Sequence, residues 1–89
     1  MKLELTFYQD PGHGWLQVSH DLINRLGIGN KITTYSYMDS HSAYLEEDCD
    51  LSLFMKEAEK AGFEISFYDR ITNYDSPIRN YQRYTYIGG

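Results

Sequence analysis

The stretch Asp10-Pro11-Gly12-His13-Gly14-Trp15-Leu16-Gln17-Val18 decides how this chain folds. Proline presets φ and glycine accepts conformations that other residues resist, so Asp10-Pro11-Gly12 is turn chemistry. Upstream, residues 2–8 alternate: Leu3, Leu5 and Phe7 share one face, Lys2, Glu4, Thr6 and Tyr8 the other, the period of a half-buried strand. Downstream, residues 15–18 read as a second strand. The stretch is therefore a hairpin turn that sets strand register, seats the only tryptophan and carries His13 at its tip.

The remaining elements follow outward from that hairpin. Ser19 caps a short helix through Leu26, with Leu22, Ile23 and Leu26 on one face and Gly27 marking its end. Residues 31–38, rich in β-branched and aromatic side chains, read as a third strand, and residues 42–46 as a fourth beyond the polar turn Asp39-Ser40-His41. Glu46-Glu47-Asp48-Cys49-Asp50 opens a second helix in which Leu51, Phe54, Met55, Ala58 and Ala61 keep the 3.6-residue period, with Gly62 as its stop. Residues 63–68 form a fifth strand with Phe63, Ile65 and Phe67 inward. The expectation is a single α+β domain over residues 1–89, an antiparallel sheet of about five strands with two helices in the order ββαββαβ. A Tyr/Arg-rich C-terminal arm or short helix follows over 70–89, with Ser76-Pro77 as a helix start.

Composition bounds the function. A chain of 89 residues supports one modest core. A net charge of −5 and a pI near 4.9 oppose binding to nucleic acid backbones and anionic membranes, and favour a basic protein partner. A single cysteine cannot staple the fold, and without a CxxC or Cys/His cluster no structural zinc site is indicated. That cysteine usage, with no signal-peptide or membrane-spanning run, suits the reducing cytoplasm and a monomer or small homo-oligomer.

No catalytic constellation can be assembled from spacing. His13, between two glycines, is open to two readings: a plain hairpin residue, or part of a small backbone nest for an anion. His20 and His41 lack metal-face spacing. Cys49 lies near a helix N-terminus, which lowers a thiol pKa, while Glu47, Asp48 and Asp50 raise it. The same carboxylates either complement the helix dipole or form an acidic recognition surface. Neither an EF-hand nor a nucleophile with base and orienting group is present, so the chain is read as a non-enzyme with no cofactor and no metal.

The nine tyrosines are the unusual feature. Tyr8, Tyr35, Tyr37, Tyr44 and Tyr68 fall in expected strands, and Tyr74, Tyr81, Tyr84 and Tyr86 in the arm. Tyrosine supplies contact area with a polar tip, which suits recognition surfaces. The alternative is a second small core, formed where the arm packs over the outer face of the sheet. The candidate partner-binding residues are His13, Trp15, Tyr35, Tyr37, Tyr44, Glu46, Glu47, Asp48, Asp50, Arg79 and Tyr81.

The run from Phe7 to Val18, followed by Leu26-Gly27-Ile28, resembles a family of small uncharacterised proteins carried by bacteriophages, prophages and plasmids. Lys31-Ile32-Thr33-Thr34-Tyr35-Ser36-Tyr37, Ala43-Tyr44-Leu45-Glu46-Glu47-Asp48-Cys49-Asp50 and Asp75-Ser76-Pro77-Ile78-Arg79 extend the resemblance over nearly the whole chain. It implies an accessory factor of a mobile element, of the kind that inhibits a host defence such as a CRISPR or restriction system by occupying a basic protein surface. The alternatives are a nucleic-acid accessory module using Arg70, Arg79 and Arg83, and a small ligand binder or enzyme centred on His13 and Cys49.

Overall fold

The computed structural model describes residues 1–86. Strands β1 (Lys2–Gln9) and β2 (Gly14–Ser19) form the expected hairpin, with Phe7 opposite Leu16 and Tyr8 opposite Trp15. Helix α1 (His20–Leu26) follows directly, its Ser19 Oγ accepting the Leu22 amide at 3.1 Å and its end turned by Gly27 at φ 71°. β3 (Tyr37–Met38) and β4 (Ser42–Glu46) form a second hairpin. Helix α2 (Leu51–Lys60), strand β5 (Glu64–Ile71), a 3-10 turn at Pro77–Asn80 and a short β6 (Gln82–Arg83) follow, and the last three residues of the expected 70–89 arm lie outside the described residues.

The sheet differs from the expected one in strand number and direction. It has six strands in the order β5-β1-β2-β4-β3-β6, and it is mixed: β5 runs parallel to β1, in register from Lys2–Glu64 to Gln9–Ile71, while the other pairings are antiparallel. A parallel pair needs a crossover, and α2 supplies it. The helix carries the chain from the inner strand β4 back to the start of β1, where the Glu64 amide donates to the Met1 carbonyl at 2.8 Å. Phe67 then stacks on Phe7 at 5.7 Å.

The expected third strand is shortened to its last two residues. Gly29–Lys31 is a 3-10 turn, and residues 33–36 wrap around the Asp50 carboxylate, which accepts the Thr33 amide, the Thr33 hydroxyl and the Ser36 hydroxyl. Those bonds outweigh the strand propensity of the β-branched residues, which reflects packing more than intrinsic backbone preference. The second helix begins at Leu51, later than the acidic run suggested, because residues 47–50 form a turn and Asp50 bonds backward instead of capping α2.

Each face of the sheet has its own cover. On one, Leu16, Val18, Ala43 and Leu45 pack against Ile23 of α1 and Phe54 and Ala58 of α2 as the main core. Phe54 is wholly buried, and truncating such a phenylalanine to alanine costs about 3–5 kcal/mol. On the other, the arm lays Ile78 over Trp15 and Tyr44, with Tyr8 and Tyr37 at the margin. The second small core therefore forms and uses four aromatics, while Tyr35, Tyr68, Tyr74, Tyr81 and Tyr86 stay exposed. No helix among the described residues is long and apolar enough to cross a membrane.

Candidate functional site

Asp10 organises the hairpin tip. It is 4% exposed, and its Oδ1 accepts the amides of Gly12 and His13 at 2.9 Å each. Its Oδ2 accepts the Ser76 amide at 2.9 Å and Arg79 Nε at 2.6 Å, and Arg79 Nη2 reaches Oδ1 at 2.9 Å. The Arg79 guanidinium, outweighing burial, holds the Asp10 carboxyl well below the usual carboxylate range, and the three amides add to this. The amides with the geometry to cradle an anion thus already hold one, the chain's own Asp10. Neither glycine of the turn has positive φ; each is required by space. A Cβ on Gly14 would run into the Phe7 ring, and one on Gly12 would lie 2.8 Å from Arg79 Nη2.

Through Arg79, this turn fixes one wall of a cleft of about 450 Å³. The Arg79 guanidinium lies 5.3 Å over the Trp15 ring, and Arg83 lies 5.1 Å over Tyr37 while donating to the Thr34 carbonyl at 3.1 Å. Trp15 and Tyr37 meet edge to face at 6.3 Å, an arrangement that lets the arm's two cations stack on an aromatic surface. His13, Glu46, Asp48 and Cys49 also line the cleft, as does Tyr35, which is 64% exposed. Asp50 lies outside the cleft but shapes it, because its bonds to Thr33 and Ser36 set the loop that carries Tyr35 and Tyr37, and Ser36 Oγ accepts the Glu46 amide at 3.0 Å.

The acidic part of the lining has a specific defect. Glu46 is 6% exposed, and its Oε2 accepts the Asp48 amide at 3.0 Å. Its Oε1 accepts no well-formed hydrogen bond among the described residues; the nearest cation-forming group is His13 Nδ1 at 3.4 Å. Trp15, opposite Glu46 in the β2–β4 register, has a buried Nε1 that is likewise unpartnered. The Cys49 thiol lies against the Glu46 carboxylate, which pushes its pKa up, with Asp50 and Asp48 adding to the effect. The two influences that the sequence set against each other are thereby resolved toward a protonated and weakly nucleophilic thiol.

The residues expected to bind a partner separate into three groups. His13, Tyr35, Tyr37, Asp48 and Arg79 line the cleft with accessible atoms, and Trp15 and Glu46 line it as buried residues. Glu47 is exposed beside it, and Tyr81 is exposed but packs on Tyr44 at 5.1 Å. Tyr44 and Asp50 are 5% and 2% exposed and present no outward contact surface, so the four acids expected to form one face reduce to Glu47 and Asp48 outside and Glu46 and Asp50 within. Asp10 and Ser36 were not among the expected site residues. Asp10 had a signal, since an aspartate opening a Pro-Gly turn bonds the amides beyond it.

A scan against protein-family models, a search of curated proteins and a search of solved structures each return no match to this chain.

Proposed function

We propose that the chain is a non-enzymatic interaction protein of a phage or mobile element, and that it engages a host or phage protein through this cleft. One observation carries the reading. Four stretches far apart in sequence, around Asp10–Trp15, Thr33–Tyr37, Glu46–Asp50 and Ser76–Arg83, converge on a single mixed-charge opening over an aromatic surface. Exposed tyrosine beside stacked arginine is the composition of recognition hot spots. Glu47 and Asp48 at its lip steer a basic partner surface, consistent with the net charge of −5. Inhibition of a host defence by covering such a surface is the form of this function that the mobile-element resemblance suggests.

The test is affinity capture from host lysate with the wild-type chain beside Tyr35→Ala and Arg83→Glu variants. A partner retained by the wild type and lost from both variants supports the reading; equal retention by all three overturns it. A second reading, a small-ligand binder, is favoured by His13 and Cys49 both lining the cleft. The nucleic-acid reading draws on less free positive charge, because Arg79 is neutralised by Asp10 and Arg70 lies on β5, outside the cleft.

A further inference from the structure

We infer that His13, Glu46 and Asp48 form a binding site for a first-row divalent cation, with Zn²⁺ as the ion that suits it. The inference goes beyond partner binding: the site belongs to the free chain, and its test needs no partner.

Geometry comes first. One ligand atom from each residue falls within 4.8 Å of the others. The pair set most firmly, His13 Nδ1 and Glu46 Oε1, is 3.4 Å apart. Two ligands at about 2.1 Å from a tetrahedral zinc lie about 3.4 Å from each other, so this separation is already that of two corners of a coordination sphere. Asp48 is exposed and supplies the third ligand atom. All three residues line the cleft.

One of these ligand atoms, Glu46 Oε1, also lacks a hydrogen bond among the described residues. Buried Glu46 Oε1 has only the His13 ring nitrogen at 3.4 Å, a destabilising arrangement for a buried carboxylate oxygen. Its carboxylate is also held in orientation, because Oε2 is engaged by the Asp48 amide. The two loops that bring the ligands together are tied by the Glu47 amide donating to the Gly14 carbonyl at 3.0 Å, and the His13 loop is anchored by Asp10. Outer contacts of this kind orient ligands ahead of the metal.

The donor set decides the ion. One imidazole nitrogen and two carboxylate oxygens fit zinc or a neighbouring transition ion better than the all-oxygen shells of calcium or magnesium. Of the two arginines that line the cleft, Arg79 has its charge compensated by Asp10, whereas Arg83 keeps its positive charge over Tyr37 and opposes a bound cation.

The experiment is calorimetric titration of the chelator-stripped full chain with ZnCl₂, alongside Glu46→Gln and His13→Ala variants whose folding is verified by circular dichroism. Cobalt(II) serves as a spectroscopic probe, because the single tryptophan has its ring 6.0 Å from the His13 ring and a paramagnetic ion at the site quenches its emission. The expected result is saturable one-to-one zinc binding, weakened about tenfold or more in each variant, with cobalt quenching lost in parallel. His13 is half-exposed, so its alanine variant reports even if Glu46→Gln does not fold. No saturable binding by the wild type overturns the site. Binding that survives in the folded variants also overturns it, since that is diffuse association with an acidic surface.

Discussion

Two turns of this molecule are built alike and used differently. In Asp10-Pro11-Gly12-His13, the aspartate Oδ1 accepts the amides of the third and fourth residues at 2.9 Å each, and its own amide donates to the fourth carbonyl at 2.9 Å. Asp39-Ser40-His41-Ser42 repeats the pattern with the same three distances. The difference lies in the second oxygen. Asp39 Oδ2 accepts the Tyr44 hydroxyl at 2.7 Å, a partner five residues away, whereas Asp10 Oδ2 accepts Ser76 and Arg79 from the far end of the chain. One local device therefore closes a hairpin in one place and, in the other, pins the arm that forms the second core and one wall of the cleft.

The largest expected effect tests that contrast directly. Asp10→Ala removes the acceptor for three amides and a guanidinium, and is expected to lower unfolding free energy by about 2–3 kcal/mol in urea denaturation. Asp39→Ala, at an exposed residue whose partners are all within five positions, is expected to cost about 1 kcal/mol. Equal losses would show that the bonds from Ser76 and Arg79 add nothing to the Asp10 turn. In Arg79→Ala the hairpin keeps its amide bonds, but the arm loses its anchor and the buried Asp10 carboxylate its countercharge, so a loss of similar size, about 2–3 kcal/mol, is expected. Trp15 emission shifts to the red as water reaches a ring that is now 1% exposed.

The smallest expected effect is the acid limb of stability. Both carboxyls lie below their ordinary range in the folded chain: Asp10 chiefly through Arg79, Asp39 because bonds from Tyr44, His41 and Ser42 outweigh its burial. The folded value is depressed, so on acidification the unfolded chain takes up the proton first. The contribution of each group is full above about pH 3.9 and is lost as pH falls toward the folded value. Urea midpoints measured from pH 5 to pH 2 are expected to fall in the wild type and to fall less steeply in Arg79→Ala, which lacks the larger depression.

What was legible in the sequence was local. The strand alternation of Leu3, Leu5 and Phe7, the Ser19 cap, the Gly27 stop and the Ser76-Pro77 start are each decided by a few neighbouring residues, and each stands where expected. At the site, His13, Tyr35, Tyr37, Asp48 and Arg79, which stand out by residue type in the sequence, all line the cleft. Tyr44 and Asp50 were misplaced outside because an aromatic or an acid in a pattern does not reveal whether something packs over it.

Tertiary structure decided the rest. Whether β5 joins the sheet at β1, and in which direction, depends on where α2 delivers the chain, and no local pattern encodes that crossover. The residues 31–36 look like strand until Asp50 offers their hydroxyls and amide a buried acceptor. Asp10 reads as a turn former on sequence alone. Its larger role exists only because the fold returns Arg79 from sixty-nine residues away to within 2.6 Å, where a buried carboxylate and a guanidinium satisfy each other. Sequence determined the parts whose energies are local; the cleft, assembled from four distant stretches, was decided by burial and charge pairing that only the closed fold brings together.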